Sequence, residues 1–256
     1  MKTYIVGNWK MNLTVGESSI YLHKLLKRIK SLRGIEVIVA PSMIALQTLS
    51  LQTDRKRIKL AAQNYFYRDF GAFTGETSVS QLRGIVDYSI IGHSERRNIF
   101  HESDKDIRNK VAAGVRNGIT PILCIGETES EKTYGETADV LKDQLVGGLY
   151  DVSEEDLKKV IIAYEPVWAI SSVKGARLAG PDEIAESVKM IREQLVEIHG
   201  KKIADEIPVL YGGSVNPSNA GAYLTIPGIN GLLIGGDSLI ADHFVGIIDL
   251  AKKLRS

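Results

Sequence analysis

Cysteine is almost missing from this chain: Cys124 is the only one in 256 residues. A lone thiol excludes an internal disulfide and a cysteine-rich zinc site and fits a reducing compartment, so a cytoplasmic location is expected. Long apolar runs are missing too. No stretch approaches the roughly 20 residues that span a bilayer. Met1 to Lys10 has no long apolar core ahead of a small-residue cleavage site, so neither export nor membrane insertion is expected. Charge of one sign is not in excess either. The 32 Lys and Arg face 31 Asp and Glu, a formal net charge of +1, which gives no general pull toward nucleic acid or an acidic membrane and leaves only a local anion site. Low-complexity segments, charge blocks and Ser/Gly-rich linkers are absent as well, so no boundary is placed and residues 1–256 read as one domain.

What is present is an ordinary globular composition, 44% hydrophobic and 25% charged, enough to bury a sizeable core. A two-part unit recurs along it: a short apolar, β-branched run, then an amphipathic stretch. The runs are Thr3 to Gly7, Glu36 to Ala40, Ile58 to Gln63, Tyr88 to Gly92, Thr120 to Ile125, Val160 to Tyr164, Pro208 to Tyr211 and Gly231 to Ile234. Between them, Ser18 to Leu32 places Ile20, Leu22, Leu25, Leu26 and Ile29 at helical spacing, and Ile184 to Ile198 does so with Val188, Ile191, Leu195 and Val196. Short apolar strands joined by helices predict a parallel sheet covered by helices, and eight units predict closure into an α/β fold of the (β/α)8 barrel type. The alternative, an open doubly wound sheet, normally carries Gly-x-Gly-x-x-Gly after its first strand, where this chain has Gly7-Asn8-Trp9-Lys10.

Chemistry in such barrels is assembled at the C-terminal ends of the strands. Those ends carry Asn8 and Lys10, Gln63 and Asn64, His93 and Glu95, Cys124 and Glu127, Glu165, Gly212-Gly213-Ser214 and Gly235-Gly236. The two glycine pairs precede expected helix starts, where free N–H groups favour an anion, although glycines there can also do no more than turn the chain. Lys10 follows an apolar strand and needs an anionic partner or water. His93 precedes a cap and first turn, Ser94-Glu95-Arg96-Arg97, whose positive end disfavours imidazolium and leaves a neutral hydrogen-bond donor; a purely structural histidine is the other reading. Glu165 lies in Ala163-Tyr164-Glu165-Pro166-Val167-Trp168. Apolar neighbours raise a carboxylate's proton affinity toward that of a general base, unless a cation pairs with it.

Taken in order, several segments resemble the triosephosphate isomerase family. They are Gly7-Asn8-Trp9-Lys10-Met11-Asn12, Ala62-Gln63-Asn64, Gly71-Ala72-Phe73-Thr74-Gly75-Glu76 and Ile91-Gly92-His93-Ser94-Glu95-Arg96-Arg97, then Cys124-Ile125-Gly126-Glu127, Tyr164-Glu165-Pro166-Val167-Trp168-Ala169-Ile170, Tyr211-Gly212-Gly213-Ser214-Val215-Asn216 and Gly235-Gly236. The resemblance implies a TIM barrel and an aldose-ketose isomerase acting on a small phosphorylated triose, dihydroxyacetone phosphate or D-glyceraldehyde 3-phosphate, with no cofactor and no metal. Glu165 would be the base; His93, Lys10 and Asn8 would stabilise an enediolate; Glu95 would bond Lys10 in the free site. N–H groups of Ser171, Ser214, Gly235 and Gly236 would hold the phosphate. Pro166, Val167, Trp168, Val173, Lys174, Gly175 and Ala176 would belong to a lid. Phe73, Thr74 and Gly75 would lie in a homodimer interface, Thr74 reaching the neighbour's site. Aromatic crowding in Tyr65, Phe66, Tyr67, Phe70 and Phe73 independently points to a partner surface or a folded-back core loop.

The sequence departs from the family's Gly-Thr-Gly-Lys lid tip. Ser171-Ser172-Val173-Lys174-Gly175-Ala176-Arg177-Leu178-Ala179-Gly180-Pro181 is about three residues longer and lacks both tip glycines, with Gly175 and Gly180 expected to supply flexibility instead. Two rival readings stay in view: a phosphate-binding barrel of different chemistry, such as a Schiff-base aldolase, and a non-catalytic binder of phosphorylated metabolites.

Overall fold

Period-2 alternation in short β-branched runs decides the architecture. In the computed structural model, which describes residues 2–30, 32–170 and 175–255, eight parallel strands pair in chain order and close into a barrel: β1 (Thr3–Asn8), β2 (Ile35–Ala40), β3 (Lys59–Ala62), β4 (Tyr88–Ile91), β5 (Thr120–Ile125), β6 (Ile161–Tyr164), β7 (Val209–Tyr211) and β8 (Gly231–Ile234). The closing register joins Tyr4 to Gly231. Alternate residues fall into two apolar layers. Val6, Ile38, Ile90, Ile122, Ala163, Leu210 and Leu233 fill the barrel interior, whereas their neighbours Ile5, Val37, Ile91, Leu123, Ile162, Val209 and Leu232 pack outward under the helices.

Those helices are α1 (Val15–Arg28), α2 (Met43–Gln52), α3 (Ser94–Asn98), α4 (Asp104–Arg116), α5 (Glu129–Thr133), α6 (Thr137–Leu149), α7 (Glu154–Leu157), α8 (Pro181–His199), α9 (Lys201–Ala204), α10 (Ala220–Leu224) and α11 (Ala241–Arg255). Local chemistry sets where they start. Thr14, Ser103 and Thr128 each form a reciprocal capping box at the heads of α1, α4 and α5, a device worth about 1 kcal/mol. Pro181 opens α8, where its missing N–H costs nothing.

Two details differ from the sequence expectation. The first predicted helix runs from Val15 to Arg28 rather than from Ser18 to Leu32, and its buried stripe is Ser18, Tyr21, Leu22 and Leu25. Ile20 lies off that stripe and is exposed, as is Val196 on α8, because 100° per residue turns them from the barrel. The third unit also lacks an α-helix among the described residues: β3 leads into a loop that carries the aromatic cluster and ends in a single 3-10 turn, Ser80–Leu82.

Candidate active site

Following the inward parity of each strand past its C-terminal end leads to the site. In β1 it passes from Val6 to Asn8, in β6 from Ala163 to Glu165, in β7 from Leu210 to Gly212 and in β8 from Leu233 to Gly235. These residues, with Lys10, His93, Ser214, Gly236 and Asp237, line one cavity of about 220 Å3 at that end of the barrel. Among the described residues, no group of three or more His, Cys, Asp or Glu side chains is arranged to hold a metal ion.

Lys10 has φ 51°, in the left-handed region, which costs a non-glycine residue of order 1 kcal/mol. Two side chains fix this conformation: Asn8 Oδ1 accepts the Lys10 N–H at 3.0 Å, and Gln63 Nε2 donates to the carbonyls of Lys10 and Ala40, both at 2.8 Å. Its ammonium thereby reaches Glu95 Oε1 at 2.6 Å. Gln63 was legible only as a polar strand end; its job of pinning the Lys10 backbone emerges from the fold.

His93 is the N-cap of α3, and its Nδ1 accepts the Glu95 N–H at 3.2 Å. An accepting Nδ1 carries no proton, so the ring is neutral with its proton on Nε2, the atom 3.4 Å from Glu165 Oε1. The His93 tautomer that this geometry selects is the one with Nε2 as donor. Gly92, with φ 71°, turns the chain just before it.

Glu165 is 3% exposed. Burial raises the proton affinity of its carboxyl above the usual range, while His93, Lys10 and the Ser94 amide oppose the shift. Two glycines make its seat. A Cβ on Gly212 would fall 2.6 Å from Glu165 Cγ, and one on Gly126 would fall 2.1 Å from the Glu165 carbonyl oxygen. Cys124 lies behind this seat, fully buried, its thiol pushed well up by desolvation and therefore unreactive.

Pro166, Val167 and Trp168 lead away from Glu165 through a 3-10 turn, Val167–Ala169. Trp168 is buried, and its Nε1–H donates to Glu127 Oε1 at 2.9 Å. Glu127 also accepts from Tyr164 Oη at 3.1 Å; its carboxyl is raised by burial, against these bonds. Sequence reading noted Glu127 at a strand end but gave it no role. Residues 171–174, and so Ser171, Val173 and Lys174, lie outside the described residues. Beyond them Gly175 has φ 83°, whereas Gly180 takes an ordinary φ of −70° as the residue capping α8. Ala176 is half-buried. Arg177 returns to the tryptophan: its N–H donates to the Trp168 carbonyl at 3.1 Å, its guanidinium stacks 4.1 Å from the indole centroid, and it grips Glu183 through two nitrogens at 2.7 and 2.9 Å.

At the other end of the cavity, Gly235 and Gly236 border it directly, while both the N–H and the Oγ of Ser214 donate to the Ala169 carbonyl, at 3.0 and 2.7 Å. The aromatic loop divides between the two possibilities raised by its composition. Tyr65 folds inward and bonds the Lys110 carbonyl at 2.7 Å, whereas Phe70, Phe73, Thr74 and Gly75 are exposed. A second hollow of about 260 Å3 adjoins the site and is bordered by Lys10, Met11, Asn64, Glu95 and Phe100.

The family model described as Triosephosphate isomerase matches residues 3–251. Among curated relatives, the triosephosphate isomerase of Clostridium tetani is 40% identical over 249 residues, covering 97% of this chain and 96% of that protein. That of Streptococcus mutans is 38% identical over 252 residues, covering 98% and 99%. That of Natranaerobius thermophilus is 36% identical over 253 residues, covering 98% and 97%.

Proposed function

The chain belongs to the triosephosphate isomerase family, and from that premise we propose that its cavity interconverts dihydroxyacetone phosphate and D-glyceraldehyde 3-phosphate by proton transfer through an enediolate. The observation that carries the reading is the convergence of Glu165, neutral His93 and Lys10 on one small cavity. Glu165 removes a proton from the carbon beside the substrate carbonyl and returns it to the neighbouring carbon. His93 Nε2–H, the Lys10 ammonium and Asn8 receive the negative charge that develops on oxygen; these roles follow the family's pattern. Glu95 holds Lys10 until substrate arrives.

The phosphate is assigned to the N–H groups of Ser171, Ser214, Gly235 and Gly236, its remote binding energy fixing the reacting carbons. The Ser214 amide takes part once Ala169 gives it up, which links phosphate binding to a shift of the Val167–Ala169 turn. No cofactor or metal enters this chemistry. A coupled assay with glyceraldehyde 3-phosphate tests the reading, and the absence of turnover would remove it; borohydride trapping of a covalent adduct would favour the aldolase alternative.

The exposed Phe73, Thr74 and Gly75 and the hollow beside Lys10 support a homodimer in which the loop of one copy enters the hollow of the other. An active monomer at micromolar concentration in sedimentation would refute it. Among the described residues no helix is long and apolar enough to cross a membrane, and we assign the protein to the cytoplasm.

A further inference from the structure

Two carboxylates border the active cavity among the described residues, and the mechanism uses one of them, Glu165. The other is Asp237, directly after Gly235-Gly236 at the end assigned to phosphate. An anion site with a carboxylate on its wall works against itself, because like charges at short range in a partly desolvated hollow repel strongly. The structure contains a counterweight. Oδ1 of Asp237 lies 2.7 Å from Nδ1 of His243, on the first turn of α11. With an ionised carboxylate as acceptor, His243 is the donor, so Oδ1 is drawn to the α11 side. The neighbouring Asp242 is paired with Arg28 of α1, which leaves Asp237 as the carboxylate His243 engages.

We propose that Asp237 and His243 form a coupled pair that sets the affinity of the site for the substrate's phosphate, His243 restraining and offsetting a carboxylate that would otherwise repel the dianion. This inference rests on the phosphate reading above. Asp237 is the specificity-determining residue, and His243 is a positioning residue that acts only through it.

The test is a double-mutant cycle on the full chain, with inorganic phosphate as competitive inhibitor of the isomerase reaction. Asp237→Asn is expected to lower both the inhibition constant of phosphate and the KM by about 3- to 10-fold, the effect falling on KM rather than kcat. His243→Gln is expected to raise both constants by a similar factor. In the Asp237→Asn background, His243→Gln should then change neither, since there is no longer a charge to offset; Asp237→Ala supplies the same background should Asn fold poorly. Equal effects of His243→Gln in both backgrounds, or a phosphate inhibition constant unmoved by Asp237→Asn, would overturn the pair while turnover and phosphate inhibition in the unmodified chain kept the site itself in place. Failure of the unmodified chain both to turn over and to bind phosphate would instead remove the phosphate reading and the pair with it.

Discussion

The imidazole of His93 is held at both nitrogens by different partners: Nδ1 accepts the Glu95 amide at 3.2 Å, and Nε2 lies 3.4 Å from the Glu165 carboxylate. A helix cap thus selects the tautomer of a ring whose other edge faces the Glu165 carboxylate. One short segment, His93-Ser94-Glu95, thereby places the imidazole, starts α3 and supplies the carboxylate that holds Lys10.

His93→Gln is expected to lower kcat by about 10²- to 10³-fold, because a preorganised donor to the developing oxyanion is removed. Ground-state binding depends on it far less, so KM should change little. Steady-state kinetics check this, and a loss confined to KM would place His93 outside the oxyanion contacts.

Glu165 is a buried carboxyl whose proton affinity is raised mainly by desolvation. For a carboxyl raised on folding, the contribution to stability is complete below its unfolded pKa and is lost as pH rises through the folded one, so at neutral pH ionised Glu165 costs stability. Glu165→Gln should therefore abolish nearly all turnover yet raise the thermal midpoint at pH 7, by about 2–4 °C for each 1 kcal/mol relieved. The gain should shrink as pH falls. In the unmodified chain the acid limb of kcat/KM should lie above the usual carboxylate range. A lower midpoint for the variant at pH 7 would contradict the desolvation account.

Much of this was legible in the sequence for a simple physical reason. Strand parity is a period of two, so once Val6 and Ala163 point inward, Asn8 and Glu165 must follow them to the barrel mouth. Contacts between elements distant in the chain were not legible. Gln63 pins Lys10 from the end of another strand, and Glu127 receives the Trp168 indole. Neither has a local signal, since each depends on which loops the closed barrel brings together. The solvent-facing side of α1 was misread at Ile20 because an apolar residue at near-helical spacing need not lie on the buried stripe.

Gly212 has a role that composition cannot reveal. Its φ does not require glycine, yet an added Cβ would fall 2.6 Å from Glu165 Cγ. Gly212→Ala should therefore fold and displace the base, lowering kcat by about 10²-fold, in line with the cost of small misplacements of catalytic groups. An alanine variant of unchanged kcat, with its fold verified by circular dichroism, would show that the carboxylate has another productive seat.

Behind α3, Glu102 accepts from Arg96 Nε at 2.7 Å and pairs with Lys110, whose ammonium also donates to Asn64 Oδ1 at 2.8 Å. Burial lowers the proton affinity of Lys110, and Glu102 opposes the shift. Removing the carboxylate strands a buried cation, so Glu102→Ala should destabilise by about 3–5 kcal/mol in urea denaturation. The double variant Glu102→Ala with Lys110→Met should recover part of that loss. No recovery would mean that Glu102 matters through Arg96 alone.

Arg177 ties the far end of the altered loop to its beginning, stacking on Trp168 while gripping Glu183. The guanidinium and then the Gly180 amide and Lys132 hold the Glu183 carboxyl down at about 2, from an ordinary 4.5. A carboxyl depressed in this way stabilises the fold above its unfolded pKa, and that contribution disappears as pH falls from about 4.5 toward about 2. Arg177→Ala should accordingly move the acid-unfolding midpoint to higher pH, while Arg177→Lys, with one charge and no planar fork, should fall between the two. Trp168 follows Glu165 by three residues and would lose one of the two cations that lie over its ring among the described residues, the other being Lys132 at 4.5 Å. The alanine variant is therefore also expected to lose turnover by a few-fold, as the indole that anchors the start of the loop loosens. Acid titration by circular dichroism and kcat on the same samples separate the two effects. An unmoved midpoint would show that the Glu183 ion pair carries no folding energy, and an unmoved kcat would show that Glu127 and Lys132 together are enough to hold Trp168 in place.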